Sequence, residues 1–150
     1  FFQSCPAILG YQAEVRKQLD ETRRLVNPFG RARMFFGRMN TPTAAEEVYR
    51  KGYAFLPQSG CVDYLNHGLI RVEGQLPKGA ELLLQVHDAM VVECGLEQEE
   101  AVVGIMIRAL AEPVFINNEP LVIPVEIKRS AKSWGEMETV GVYNGGQQEG

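Results

Sequence analysis

The chain has 150 residues, 45% of them hydrophobic and 23% charged, which is enough for one folded domain with a real core. That mix excludes a wholly disordered chain, a collagen-like repeat and a membrane-spanning protein, since no apolar run reaches the roughly 18–20 residues a spanning helix needs. The formal net charge of −4 hides an asymmetry: residues 1–60 hold nine Lys/Arg against five Asp/Glu, and residues 61–150 hold six against fourteen.

Cys5, Cys61 and Cys94 lie far apart, without a CxxC pair or zinc-ligand spacing. A reducing, cytoplasmic setting fits them better than a disulfide framework. No signal peptide opens the chain, and its first residue is not Met, so it reads as a fragment or a processed product.

Taken in chain order, Pro6 suits a first helical turn, and Ile8, Tyr11, Val15 and Leu19 continue a helical period to about Arg24. Asn27-Pro28-Phe29-Gly30 breaks that helix, and Arg31–Phe36 reads as a hairpin or extended segment. Arg16, Lys17, Arg23, Arg24, Arg31, Arg33 and Arg38 face only Asp20 and Glu21 across this region. Such a stripe fits an anionic partner, phosphate backbone above all, or else a solvated helix end and a charged hairpin. Thr41-Pro42-Thr43 predicts an N-cap for a second helix running towards Glu73, with a kink or break near Leu56–Gly60 at Pro57.

A loop follows at Gly74–Gly79. Glu81–Cys94 is the most strand-like stretch, and Glu97–Glu112 predicts a helix ended by Pro113. Its Val102, Val103, Ile105, Met106 and Leu110 should pack on the preceding sheet. Leu121–Lys128 reads as a last strand, at an edge or bulge because of Pro124. The expected organisation is one segment over residues 1–138 and a flexible polar tail over 139–150. Helices followed by antiparallel strands point to an α+β fold.

Chemistry concentrates in Leu82-Leu83-Leu84-Gln85-Val86-His87-Asp88-Ala89-Met90-Val91-Val92-Glu93. With His87-Asp88 as a two-residue turn, Val86 pairs with Ala89 and Leu84 with Val91. Without glycine this is a poor turn sequence, and a poor local choice between good strands marks a place where function can sit. A carboxylate at such a tip is placed to hold a hard cation; equally, Asp is simply common in turns.

Gln85-Val86-His87-Asp88 resembles the QVHDE motif of family A (bacterial polymerase I-like) DNA polymerases. Three further segments resemble that family in the same order. Asn27-Pro28-Phe29-Gly30-Arg31-Ala32-Arg33 is similar to its "TLFGRRR" segment. Arg50 through Asp63 is similar to its "RAAINAPMQGTAAD" helix. Val125-Glu126-Ile127 with Ser133-Trp134-Gly135 is similar to its closing strand. The set covers roughly residues 1–137, and its divergent details look phage-type.

The resemblance implies the C-terminal fingers–palm portion of a DNA polymerase, an α+β partial domain with a palm-type antiparallel sheet and packed helices. It implies template-directed nucleotidyl transfer in DNA replication, with DNA primer-template and deoxynucleoside triphosphates as partners. Asp88 would ligate catalytic magnesium, with His87 beside the primer terminus. Arg50 and Gln58 would face the primer-template, Gln58 in the minor groove, and Arg31 and Arg33 would contact phosphate. His67 and Trp134 are expected to be structural, Trp134 as a packing anchor.

Two departures stand out: Ala89 where the family has Glu, and Ala54 where it has Asn. The family's other metal-binding aspartate and its nucleotide-binding helix lie upstream of these motifs. One carboxylate cannot assemble a two-magnesium centre. The chain is therefore expected to be an enzyme only when joined to an upstream polymerase segment or partner subunit. The competing class is a non-catalytic duplex-DNA-binding or subunit-forming module derived from a polymerase; the blandest is an unrelated α+β domain with a coincidental His-Asp turn.

Overall fold

Pro6 occupies the first turn of α1 (Pro6–Thr22), where its missing N–H breaks no intrahelical bond. The computed structural model describes residues 5–148. Arg23 closes α1 in the left-handed conformation at φ 57°, its N–H donating to the Leu19 carbonyl at 3.1 Å. That reversal launches a short antiparallel hairpin, β1 (Arg24–Val26) and β2 (Ala32–Met34). Its loop is ordered by Asn27, whose Oδ1 accepts the backbone N–H groups of Phe29 and Arg31 at 3.0 and 2.9 Å.

The second helix, α2 (Pro42–Glu73), opens as the sequence predicts, with the Thr41 hydroxyl accepting the Ala44 N–H at 3.3 Å. The expected break near Leu56–Gly60 does not occur, and α2 is continuous through Pro57. A proline at 57 cannot donate to the carbonyl of Tyr53 one turn back. The Tyr11 hydroxyl donates to that carbonyl instead, at 2.8 Å.

Two compact units divide the chain, Phe1–Asp63 and Tyr64–Gly150. In the first, Val15, Leu19, Leu25, Phe35, Val48 and Phe55 form the core, with Phe35 edge-on to Phe55 at 6.0 Å between centroids. Gly52 lets the helices close on one another: a Cβ there would lie 2.6 Å from Leu19 Cδ1. A polar clamp fixes the hairpin to α2. The carboxylate of Asp63, 7% exposed, accepts from Asn27 Nδ2 at 2.7 Å and from Arg31 Nε and Nη2 at 2.8 and 2.5 Å.

The second unit contains β3 (Glu81–Val86), β4 (Ala89–Glu93) and α3 (Glu99–Leu110), preceded by a 3-10 turn at Leu96–Gln98. The expected hairpin is present, with Val86 opposite Ala89, Leu84 opposite Val91 and a bulge between Leu82 and Leu84. Ile105 and Met106 of α3 share a cluster with Val72 of α2 and with Met90 and Val92 of β4; Val102 and Leu110 are buried and Val103 half-buried. Pro113 prevents α3 from continuing, which leaves its last carbonyls without helical donors. The Tyr64 hydroxyl donates to the Leu110 carbonyl, and Arg71 donates to the Ala109 carbonyl at 2.8 Å while pairing with Glu112 at 2.7 Å.

Beyond α3 the structure departs from the single predicted strand. β5 (Val114–Ile116) and β6 (Glu119–Leu121) form a hairpin, with Asn117 and Asn118 at φ 52° and 67°, the two positive values a type I′ turn requires. β7 (Val125–Arg129) starts after Pro124 and holds the outer place in a sheet ordered β7-β8-β9. Residues expected to form a flexible tail instead build β8 (Glu138–Asn144) and β9 (Gln147–Gln148), joined by Gly145-Gly146 at φ 58° and 83°. Glu138, Val140 and Val142 alternate with Thr139, Gly141 and Tyr143, which suits a strand despite the polar composition. The last two residues of the expected tail lie outside the described residues.

Three stability outcomes follow from this packing, all read from urea unfolding midpoints. Gly52→Ala should destabilise by about 1–3 kcal/mol despite the better helix propensity of Ala, because it overpacks Leu19. Gly10→Ala, with nothing within 4 Å, should stabilise by roughly 0.5–1 kcal/mol. Asp63→Asn should cost about 1–2 kcal/mol, the lower part of the range for charged hydrogen bonds because the Arg31 side chain is half exposed. An unchanged midpoint for Asp63→Asn would dismiss the clamp.

Candidate functional site

The β3–β4 turn is the most unusual local structure among the predicted site residues. His87 sits at φ 53°, a left-handed value uncommon for any residue but Gly, and Asp88 does not share a positive φ. A side chain there costs about 1–2 kcal/mol. The strands on either side hold it: Val86–Ala89 closes the ladder, and Met90 and Val92 are packed with α3. His87 and Asp88 are both exposed, so the carboxylate stands at the tip of a supported hairpin.

The donor set around that tip does not by itself fit magnesium. Six oxygens in near-octahedral geometry are needed, and among the described residues no three His, Cys, Asp or Glu side chains group together. Ala89 adds no oxygen, and Glu93 lies at the other end of β4, opposite Glu81. Asp88 is one ligand, not a centre.

In the first unit, Arg50 and Gln58 are exposed on α2, with Ala54 half-buried between them. Neither Arg50 nor Gln58 makes an ion pair or side-chain hydrogen bond among the described residues, although Arg50 helps hold the Glu47 carboxyl below its usual range, after the larger effect of Lys51. The basic stripe resolves into distinct parts. Arg16 pairs with Glu46 at 2.9 Å, donates to the Tyr53 hydroxyl and lies 4.8 Å over the Tyr49 ring. Arg23 donates to the Gly37 carbonyl at 2.9 Å. Arg31 is held by Asp63, whose hydrogen bonds and charge raise its pKa still further. Arg33 stacks 4.9 Å over Phe35. Lys17, Arg24 and Arg38 are exposed with Arg50.

Sequence reading did not foresee Asn27 and Asp63 as the organisers of this surface. Their partners stand up to 36 residues apart, and the only signal was that both lie inside motifs. One minor expectation also changes: Trp134, expected as a packing anchor, is 49% exposed on a 3-10 turn, while His67, expected to be structural, is an exposed residue of α2. Burial, followed by the charges of Glu99 and Glu97, pushes the Cys94 thiol up, away from an activated nucleophile, and Cys5 and Cys61 are free and exposed. Among the described residues no helix is long and apolar enough to cross a membrane.

Comparison with known proteins converges on one family. The model of DNA polymerase family A matches residues 1–136. The thermostable DNA polymerase I of Thermus aquaticus is 29% identical over 137 residues, and that of Thermus filiformis 30% over 133. Each match covers 85% of this chain and 15% of the relative, so the chain spans about one seventh of their length. The POL domain of Pol1 from M. smegmatis, solved in complex with DNA primer-template and dNTP, superposes with a TM-score of 0.70 at 18% identity. That alignment takes in 94% of this chain and 23% of the other, and it bears out the α+β fold. A family match over nearly the whole chain, on the fold that family adopts, places the protein in DNA polymerase family A.

Proposed function

We propose that this chain is the C-terminal fingers–palm part of a DNA polymerase and contributes one carboxylate, Asp88, to nucleotidyl transfer on a primer-template. The observation that carries the reading is the strained His87-Asp88 turn, held out by a packed hairpin in a chain of this family. Strain kept at a supported tip is a mark of function. Magnesium is the cofactor the reading implies. On this reading its remaining oxygen donors, and the groups that hold the deoxynucleoside triphosphate, are supplied by an upstream segment or a partner subunit. The free thiols are consistent with a cytoplasmic replication enzyme.

The chain's own residues have separable tasks. Arg50 and Gln58, eight residues apart, sit about 80° apart around one helix and form a polar edge suited to duplex DNA. A Gln there reads minor-groove acceptors that all base pairs share, and so senses pair geometry without sequence. Arg33 offers phosphate a cation fixed over an aromatic ring, and the half-exposed Arg31 offers a second, alongside its clamp to Asp63. His87, beside Asp88 in the turn, would orient the primer terminus. The second reading, a non-catalytic duplex-binding module, is favoured by Ala89 and the lone carboxylate.

Primer extension separates the two. Joined to the upstream part of a family A polymerase, the chain should support extension. Asp88→Asn should reduce it by at least about a hundredfold while changing DNA affinity less than about twofold, since the lost charge serves a metal and not phosphate. Equal extension by the Asn variant would reduce Asp88 to a turn residue.

Salt titration of duplex binding tests the DNA-facing side. Affinity should fall steeply with salt, and Arg50→Ala should lower the slope of log K against log salt by about one, equally for all sequences. A slope that does not change would remove Arg50 from the interface.

A further inference from the structure

Gln58 is exposed and makes no side-chain hydrogen bond among the described residues, so its amide is only as well placed as the helix beneath it. That helix is weakest just there. Pro57, the residue before Gln58, has no N–H for the Tyr53 carbonyl, and a proline ring also presses on the carbonyl one turn back. A helix with such a gap bends unless something else ties it.

The tie comes from α1, within the same unit. The Tyr11 hydroxyl donates to the Tyr53 carbonyl at 2.8 Å, and Arg16 donates to the Tyr53 hydroxyl, so this one residue is held at both ends. On the far side of Gln58 the β1–β2 loop holds the helix. Asn27, 4% exposed, donates from Nδ2 to Ser59 Oγ at 3.1 Å and to Asp63 at 2.7 Å. The two braces differ in kind. Asn27 also organises its own loop through Oδ1, so it cannot change without disturbing the hairpin. Tyr11 lies outside the core cluster, and its hydroxyl replaces the single bond that Pro57 removes.

We propose that Tyr11 is a positioning residue for Gln58: its hydroxyl stands in for the N–H missing at Pro57 and fixes the turn from which Gln58 meets the minor groove. The inference rests on the minor-groove reading of Gln58 and adds the residue of α1 through which pair selectivity is set. Hydrogen bonds weaken steeply once their angle is lost. A displaced Gln58 therefore loses its contact with a correct pair, whose acceptors lie in fixed places, and with it the distinction from a mispair.

Single-nucleotide extension from matched and mispaired primer ends, by the chain joined to the upstream part of a family A polymerase, tests it. The readout is the ratio of the two kcat/KM values. Gln58→Ala and Tyr11→Phe should each lower that ratio roughly three- to tenfold. In the Gln58→Ala background Tyr11→Phe should change it by less than about twofold, because nothing is left to position. Pro57→Ala, which returns an N–H to the helix, should restore the parental ratio to Tyr11→Phe. A tyrosine that only stabilised the fold would slow extension from both ends alike. An unchanged ratio for Tyr11→Phe beside a lowered one for Gln58→Ala would overturn the inference and spare the reading of Gln58. So would a Tyr11→Phe effect that persists in the Gln58→Ala background, or that Pro57→Ala does not rescue. An unchanged ratio for Gln58→Ala would overturn both. If Tyr11→Phe alone does not fold, the chain carrying Tyr11→Phe with Pro57→Ala decides: the ratio of Pro57→Ala supports the inference, and a lower one overturns it.

Discussion

What is assigned to the first unit depends on α2 staying helical through Pro57. An interior proline costs about 3 kcal/mol or more, part of it from the carbonyl left without a donor. The Tyr11 hydroxyl meets that carbonyl, and burial raises the Tyr11 pKa, so it remains a protonated donor. With the helix intact, Gly52 faces Leu19, Asp63 reaches Asn27 and Arg31, and Arg50 and Gln58 share one side. Further along the same helix, Tyr64 and Arg71 supply donors for the last carbonyls of α3.

The polar groups divide between holding the fold and meeting a ligand, and the division is chemical. Arg31 uses its planar fork on a carboxylate that is nearly buried, a geometry a Lys cannot reproduce. Arg16 combines an ion pair with aromatic stacking between helices. Arg33 is positioned by stacking, which orients a guanidinium without consuming its donors. A count of positive charges along the sequence treats these three alike. Only the third arrangement leaves the whole fork without a hydrogen-bond partner among the described residues.

That difference marks how far the sequence was legible. The β3–β4 hairpin was readable to the register, because two apolar arms flank a single polar pair and a slip would turn Met90 and Val92 away from α3. The N-cap at Thr41 and the end of α3 before Pro113 were equally local signals. Continuity at Pro57 was not legible, since the compensating donor lies 46 residues away at Tyr11. The clamp at Asp63 failed to show for the same reason. The β5–β6 and β8–β9 turns were missed differently: Asn117-Asn118 and Gly145-Gly146 are ordinary hairpin residues, but the first pair lay in a stretch given no element and the second in the expected tail, because the strands beside them are short or polar.

At the proposed catalytic tip the fold supplies position and withholds ligands. A two-stranded hairpin alone is marginal in water, yet β4 is stiffened from one face by Ile105 and Met106, so the turn keeps a non-glycine residue at positive φ. Ala89, directly after Asp88 and exposed, leaves the tip with a single carboxylate. Catalytic groups need placement within about 0.5 Å. Under the proposed role of Asp88, that tolerance would fall on whatever supplies the other oxygens, and the hairpin would act as a fixed post against which they register.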